Sequence, residues 1–209
     1  MSEPTAAYSK ALRATQEFHE RKQGKTFSGA FIFKDQRNRL AEICRRLSVE
    51  TMLDYGCGYG QQYLMREGAD GKGHRPTDDD FDPKGRSLLD ILGVKSVFKY
   101  DPGIPNVSTE PTGKFDLVTC VQVLGCIPTI DLPWVIDRLY SFATKAVFVA
   151  ERIGTPHKPI FDHMADQMPR NQSADEWLDR LRRPGSPIKL FFAVKDPGWR
   201  LIEPGDQGA

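Results

Sequence analysis

The sequence predicts an α/β fold: a doubly wound, mostly parallel sheet with one antiparallel edge strand and an N-terminal helical extension. Three observations predict it. From Thr51 onward, short apolar runs alternate with segments of helical spacing, the pattern of strands joined by crossover helices. The first run passes directly into Gly56-Cys57-Gly58-Tyr59-Gly60, a glycine turn of the kind that follows the first strand of such sheets. Near the end, two apolar runs stand too close for a crossover helix, so they form a hairpin that adds an antiparallel strand at one edge.

The elements follow in order. Ala6 to Lys22 has helical composition, with Tyr8, Leu12 and Phe18 as apolar contacts, and Gly24-Lys25-Thr26-Phe27-Ser28-Gly29 interrupts it. Leu40, Ile43 and Leu47 share a face of a second helix over Lys34 to Leu47. The first strand is Thr51 to Tyr55, and a helix carrying Tyr63, Leu64 and Met65 is expected to begin near Gly60. The stretch 67–86 is rich in Gly, Asp, Pro and Lys and reads as an inserted surface loop. Its Asp78-Asp79-Asp80-Phe81-Asp82 cluster is not a calcium loop, because Pro83 stands where glycine is needed and Leu89 where a bidentate glutamate is needed. Leu88 to Leu92 is a short helix ended by Gly93, and Ser96 to Asp101 is the second strand. Phe115 to Val121 is a strand buried on both faces. Asp131 is a candidate cap for the next helix, with Pro133 in its first turn. Ala146 to Ala150 is a further strand, ending at Glu151. Ser173 and Glu176 form a capping box ahead of Trp177, Leu178 and Leu181. The closing pair is Ile188 to Val194 and Trp199 to Ile202.

The length of 209 residues suits one domain, with 1–48 as its helical N-terminal segment. The 29 basic and 28 acidic side chains balance, which argues against a protein built to coat nucleic acid without excluding a local patch. Cys44, Cys57, Cys120 and Cys126 form no C-x-x-C pair, so packing thiols in a reducing compartment are expected and no metal site is. No apolar run is long enough to span a bilayer, and Met1-Ser2-Glu3-Pro4 lacks the layout of a signal peptide. The expectation is a cytoplasmic protein of unspecified oligomeric state.

The glycine spacing bears on the ligand. The nicotinamide fingerprint G-x-G-x-x-G cradles a diphosphate, whereas here the spacing is G-x-G-x-G, one residue shorter. That suits a nucleoside cofactor without a diphosphate. An acid at the end of the second strand is placed to accept hydrogen bonds from a ribose diol, and Asp101 stands there in Lys99-Tyr100-Asp101-Pro102.

Asp54-Tyr55-Gly56-Cys57-Gly58-Tyr59-Gly60, Tyr100-Asp101-Pro102-Gly103 and Phe115-Asp116-Leu117-Val118-Thr119-Cys120 together resemble the class I S-adenosylmethionine-dependent methyltransferases, which have a Rossmann-like fold. The likeness is closest to small phage and prophage methyltransferase-like proteins, which share the upstream Gly24 to Gly29 segment and a Gln-Tyr pair after the turn, here Gln62-Tyr63. The resemblance implies S-adenosylmethionine as cofactor and methyl transfer by in-line displacement to a small molecule, sugar or nucleotide. It implies backbone approach at Gly56, Gly58 and Gly60, with Tyr55 and Cys57 in the same turn. Asp54 would orient the turn or the cofactor's amino end. Asp101, followed by Pro102, would hold the ribose, and Gln122 would reach the adenine or methionyl part. Glu151 and His157 are the candidate catalytic residues.

Two departures stand out. Family members often carry Leu-Glu-His-Ile after the third strand, where this chain has Leu124-Gly125-Cys126-Ile127, and about a dozen residues separate Asp101 from Phe115. A catalytically silent S-adenosylmethionine-binding or regulatory protein is therefore the alternative. A nicotinamide dehydrogenase is disfavoured by the glycine spacing. Asp131-Leu132-Pro133-Trp134 falls too far beyond the strand to act as the Asp-Pro-Pro-Tyr/Trp element of amino-group DNA methyltransferases. Cys126 lacks the proline that precedes the nucleophile of cytosine-C5 enzymes.

Overall fold

The computed structural model of the protein describes residues 3–22, 32–77, 79–153, 159–169, 172–195 and 198–205. Its strands are β1 (Thr51–Tyr55), β2 (Arg66–Glu67), β3 (Gly73–His74), β4 (Ser96–Tyr100), β5 (Phe115–Val121), β6 (Ala143–Arg152), β7 (Lys189–Lys195) and β8 (Trp199–Ile202). Six of them form one sheet in the order β4-β1-β5-β6-β7-β8. All its pairings are parallel except that of β8 with β7, so the antiparallel strand lies at the edge.

The central strands are buried on both faces, and successive residues divide between two cores. Met52, Leu117, Phe148 and Phe191 face α2 (Arg37–Leu47) and α3 (Leu88–Leu92), which supply Leu40, Ile43, Leu88 and Leu92. Leu53, Val118, Val149 and Phe192 face α4 (Leu132–Phe142) and α5 (Ala174–Leu181), which supply Val135, Leu139, Trp177 and Leu181. Tyr8 of α1 (Ala6–Lys22) joins this second core. A smaller cluster joins Ala11 of α1 to Phe161, Met164 and Met168. The capping box of Ser173 and Glu176 is formed, and a second one, of Ser87 and Asp90, opens α3.

Several sequence expectations need correction. The second helix begins at Arg37, not Lys34, because Ile32–Gln36 is wound as a π-turn. No α-helix follows Gly60. A single 3₁₀ turn, Gln61–Tyr63, is followed by β2. The apolar run ends at Met65, and glycines at 68, 71 and 73 favour turns over a helix. The 67–86 stretch is not all loop: Gly73–His74 pairs antiparallel with Arg66–Glu67. Arg86 holds Glu67, and Asp70 holds His74 at 2.9 Å. Asp131 stands at the cap position of α4 but makes no side-chain cap bond. Its two oxygens accept instead from the Thr5 N–H and hydroxyl, both at 2.8 Å, which ties down the start of α1. The strand at Ala146 to Ala150 extends to Ala143–Arg152.

Candidate functional site

The β1 exit, the β4 exit and the ends of β5 and β6 meet at the carboxyl edge of the sheet, where ligands of doubly wound folds bind. Gly56, Gly58 and Gly60 all have left-handed backbone, with φ of 81°, 58° and 66°. L-residues adopt that region at a cost, so the bend needs glycine for its conformation alone. The Gly56 and Cys57 N–H groups donate to the Tyr100 carbonyl at 2.7 and 3.1 Å, and Gly60 N–H donates to the Cys57 carbonyl at 3.1 Å. The Cβ side of Gly56 is occupied by Val123, which a methyl group there would meet at 2.2 Å. The glycine at 56 thus serves packing as well as backbone conformation.

Asp101 faces this bend. One carboxylate oxygen accepts from Gly58 N–H at 3.0 Å and the other from Gly103 N–H at 2.9 Å. A carboxylate offers about four acceptor directions, so these two bonds do not by themselves exhaust it. Pro102 lies under α1, its carbonyl accepting from Gln16 Nε2 at 3.3 Å. The bend and the carboxylate expected at the second strand are therefore in contact.

Asp54 points the other way, into the protein, and is 1% exposed. Its Oδ2 accepts from Gln62 Nε2 at 2.7 Å and from the Tyr63 hydroxyl at 2.8 Å, while Oδ1 lies 3.1 Å from Thr119 Oγ1. Burial pushes its acid up to about 6, against the opposing pull of these three hydrogen bonds. Of the two roles expected for Asp54, orienting the turn matches this geometry. Contact with a cofactor's amino end does not, because the side chain is enclosed.

Tyr55 is buried and stacks edge-on against Tyr100, with centroids 5.1 Å apart. Tyr8 packs edge-on against Trp134 at 5.2 Å, and burial raises the acids of all three tyrosines. Burial likewise raises the thiol of Cys57.

Gln122 takes φ 56°, a strained value for a non-glycine residue at the end of β5. Its N–H donates to the Ala150 carbonyl at 2.8 Å, and its buried Nε2 has no hydrogen-bond partner among the described residues. Glu151, at the neighbouring end of β6, is 5% exposed. One of its oxygens accepts from Leu124 N–H at 2.8 Å, and the other lies 3.8 Å from where a Cβ on Gly125 would be. His157 lies outside the described residues, as does the Gly24 to Gly29 segment.

Sequence reasoning missed the partners of Asp54. Gln62-Tyr63 stood out only through the resemblance, and nothing in the sequence marked Thr119 as a partner of Asp54, because that contact crosses from β5 to β1. Among the described residues, no group of three or more His, Cys, Asp or Glu is arranged to hold a metal ion. No helix there is long and apolar enough to cross a membrane. A surface cleft lined by Asp35, Arg37, Asn38, Arg39 and Glu42 shares no residue with the bend.

No family model matches the chain. A ubiquinone biosynthesis O-methyltransferase of Bordetella bronchiseptica is 29% identical over 92 residues, which are 43% of this chain and 37% of that protein. The matched region thus spans little more than a third of that relative's length. Among solved structures, a Klebsiella pneumoniae protein provisionally assigned as an O-methyltransferase is similar over 96% of this chain and 89% of its own, with 15% identity and a TM-score of 0.37.

Proposed function

We propose that the chain binds S-adenosylmethionine across the bend of Gly56, Gly58 and Gly60 and directs its methyl group to a small molecule, sugar or nucleotide. The observation that carries this reading is the contact between the Asp101 carboxylate and Gly58 N–H at 3.0 Å. It joins, in one site, the glycine bend and an acid that can accept from a ribose diol. The partial likeness to an O-methyltransferase supports it.

The residues present fit such a cofactor. Asp101 is an acceptor for ribose hydroxyls, and the unpartnered Nε2 of Gln122 is a buried donor at the same edge of the sheet. A donor left unpaired costs about 1–3 kcal/mol, which a ligand acceptor would recover. When bound, the cofactor supplies a methyl group already activated on a sulfonium. What the chain supplies is alignment, which is worth about 7–11 kcal/mol of barrier in favourable cases. In this reading Asp54, Tyr55, Cys57 and Pro102 shape the site, and Asp101 and Gln122 touch the cofactor. Glu151 is the candidate to hold or accept an acceptor proton, a role His157 would share. The four cysteines are free thiols, in keeping with a reducing cytoplasmic setting.

A second reading is favoured by a specific observation. The N–H groups of Gly56, Cys57, Gly58 and Gly60 are all bonded within the protein. A bend so satisfied offers a nucleoside its shape and the neighbouring side chains. Leu124-Gly125-Cys126-Ile127, without the acid and imidazole that family members often carry there, suits a protein that binds it and does not turn it over. Isothermal titration with S-adenosylhomocysteine tests both readings, which expect micromolar binding. No binding at millimolar ligand overturns both. Release of S-adenosylhomocysteine from S-adenosylmethionine in the presence of an acceptor then separates the enzyme from the silent binder.

A further inference from the structure

The Gln62-Tyr63 pair has no part in the contacts assigned above to the cofactor, yet it joins the bend to the buried carboxylate of Asp54. Gln62 is fully buried. Its Nε2 reaches Asp54 Oδ2 at 2.7 Å and the Cys57 carbonyl at 3.4 Å, so one amide spans the strand end and the first half of the bend. The Tyr63 hydroxyl lands on the same Oδ2 at 2.8 Å. Beyond the bend, the turn that carries the pair has two local backbone bonds, Tyr63 N–H to the Gly60 carbonyl and Leu64 N–H to the Gln61 carbonyl, at 3.1 and 3.0 Å. No α-helix follows to rigidify it. Three left-handed glycines in five residues make an entropically loose segment unless something outside the backbone holds it.

We propose that Gln62 and Tyr63 are positioning residues, clamped on the buried Asp54 carboxylate, that hold the glycine bend in its ligand-binding shape in place of a helix. This rests on the reading of the bend as a nucleoside site.

A purely structural role accounts poorly for Gln62. Its Oε1 is buried with no partner among the described residues, a penalty that an apolar side chain of the same length would avoid. The clamp is charge-assisted. With Asp54 ionised, two donors converge on one charged oxygen, and such bonds are about twice as strong as neutral ones. With Asp54 protonated on Oδ1, that O–H donates a hydrogen bond to Thr119 Oγ1, whose own hydroxyl donates to the Leu53 carbonyl, 3.3 Å away, and Oδ2 becomes a weaker acceptor. The clamp is thus tighter above the Asp54 acid, at about 6, than below it. The other titratable groups facing Asp54 are Tyr63, Cys57, Cys120 and Asp101. Burial raises the phenol and both thiols, which keeps them protonated through this range.

The test is isothermal titration of the full chain with S-adenosylhomocysteine between pH 5 and 8, with hydrogen exchange of the 56–63 peptide in the ligand-free protein. The unaltered chain should bind more weakly as pH falls through the Asp54 acid. Tyr63→Phe and Gln62→Met should each weaken binding about tenfold, speed exchange of the peptide, and move the inflection to higher pH, since each removes a hydrogen bond that favours the carboxylate. Asp54→Asn should bind weakly with a flat profile. Unaltered affinity, exchange and pH profile in both Tyr63→Phe and Gln62→Met would overturn the proposal while leaving the nucleoside site standing. Absence of binding by the unaltered chain would remove the nucleoside site and the proposal with it. Should one variant fail to fold, the other carries the same readouts.

Discussion

The Asp101 carboxylate bridges two backbone amides, Gly58 on the β1 bend and Gly103 on its own loop. One side chain thereby ties the β1 bend to the loop that follows β4, at the proposed nucleoside site. Asp101→Ala removes a ribose acceptor and leaves both amides without their partner. Binding of S-adenosylhomocysteine should weaken at least thirtyfold, about 2 kcal/mol. Denaturant unfolding should show a loss of about 1–3 kcal/mol, the cost of unpaired amides. Asp101→Asn keeps an acceptor for one amide and should lose less of both. Full affinity in Asp101→Ala would disconnect this carboxylate from the ligand.

Gly56 illustrates how conformation and space act together. Its φ of 81° strains any L-residue, and an added methyl group would sit 2.2 Å from Val123 Cγ2. Gly56→Ala should therefore destabilise by about 1–2 kcal/mol from the backbone and by about 1–3 kcal/mol from overpacking. In a Val123→Ala background most of the overpacking should vanish, since of the Val123 side chain only Cβ, 3.1 Å from the added methyl group, would remain. A double-mutant cycle by denaturant unfolding reads the difference as coupling between the two sites. Equal losses in both backgrounds would mean that Val123 simply moves aside.

The parts of the fold legible in the sequence were those decided locally. Thr51–Tyr55 and Phe115–Val121 are apolar runs with sharp ends, and their bounds are those expected. Ser173 and Glu176 carry a cap within four residues of chain, and Trp199–Ile202 pairs antiparallel at the edge because no helix fits before it. What escaped was decided at a distance. Tyr63, Leu64 and Met65 suggest a helix, but Gln62 and Tyr63 are drawn onto Asp54, and Leu64 is left 59% exposed. Asp131 has the residue type and position of a cap, yet its partner is Thr5, 126 residues away. In the 67–86 stretch, the hydrogen bond from Arg86 to Glu67 and the ion pair from Arg37 to Glu67 order what composition alone reads as loop. At the site, the glycine bend and Asp101 were legible as a pair, while the inward turn of Asp54 was not.

Asp54 should leave a mark on stability as well as on binding. Its acid rises from an ordinary 3.8 to about 6 on folding. Between these values the unfolded chain loses the proton that the folded chain keeps, so stability falls as pH rises through the window and is level above it. Two pH units correspond to about 3 kcal/mol. Asn at this position can still accept from Gln62 and Tyr63 and can donate to Thr119. Asp54→Asn should therefore be more stable than the parent at pH 8 and not at pH 4, by denaturant unfolding. A constant difference across that range would show that burial does not move this acid.

The Thr5 and Asp131 pair should couple α1 to the rest of the fold. Asp131 is 1% exposed, and its described partners are the N–H and hydroxyl of Thr5. Thr5→Ala leaves one bond to a buried carboxylate and should cost about 1.5–3 kcal/mol, the range for hydrogen bonds to charged groups. Asp131→Ala in the same background should cost less than Asp131→Ala alone. Hydrogen exchange along Ala6–Lys22 should rise in Thr5→Ala, and unchanged exchange would show that Ala11 and its apolar neighbours hold the helix without this tie.

Glu151→Gln tests whether this carboxylate acts in methyl transfer. Its carboxylate already serves the fold by accepting from Leu124 N–H at 2.8 Å, and Glu151→Gln keeps an oxygen that can do the same. The substitution should leave the unfolding midpoint and S-adenosylhomocysteine affinity nearly unchanged. If the carboxylate also takes a proton from the acceptor, the rate of methyl transfer should fall by roughly 10²–10⁴-fold, the usual contribution of a general base. The loss should appear in kcat with little change in KM, because the group acts on the proton and not on ground-state binding. If transfer in Glu151→Gln runs at the parent rate, the carboxylate is only a loop anchor, and any acceptor that loses its proton does so without it.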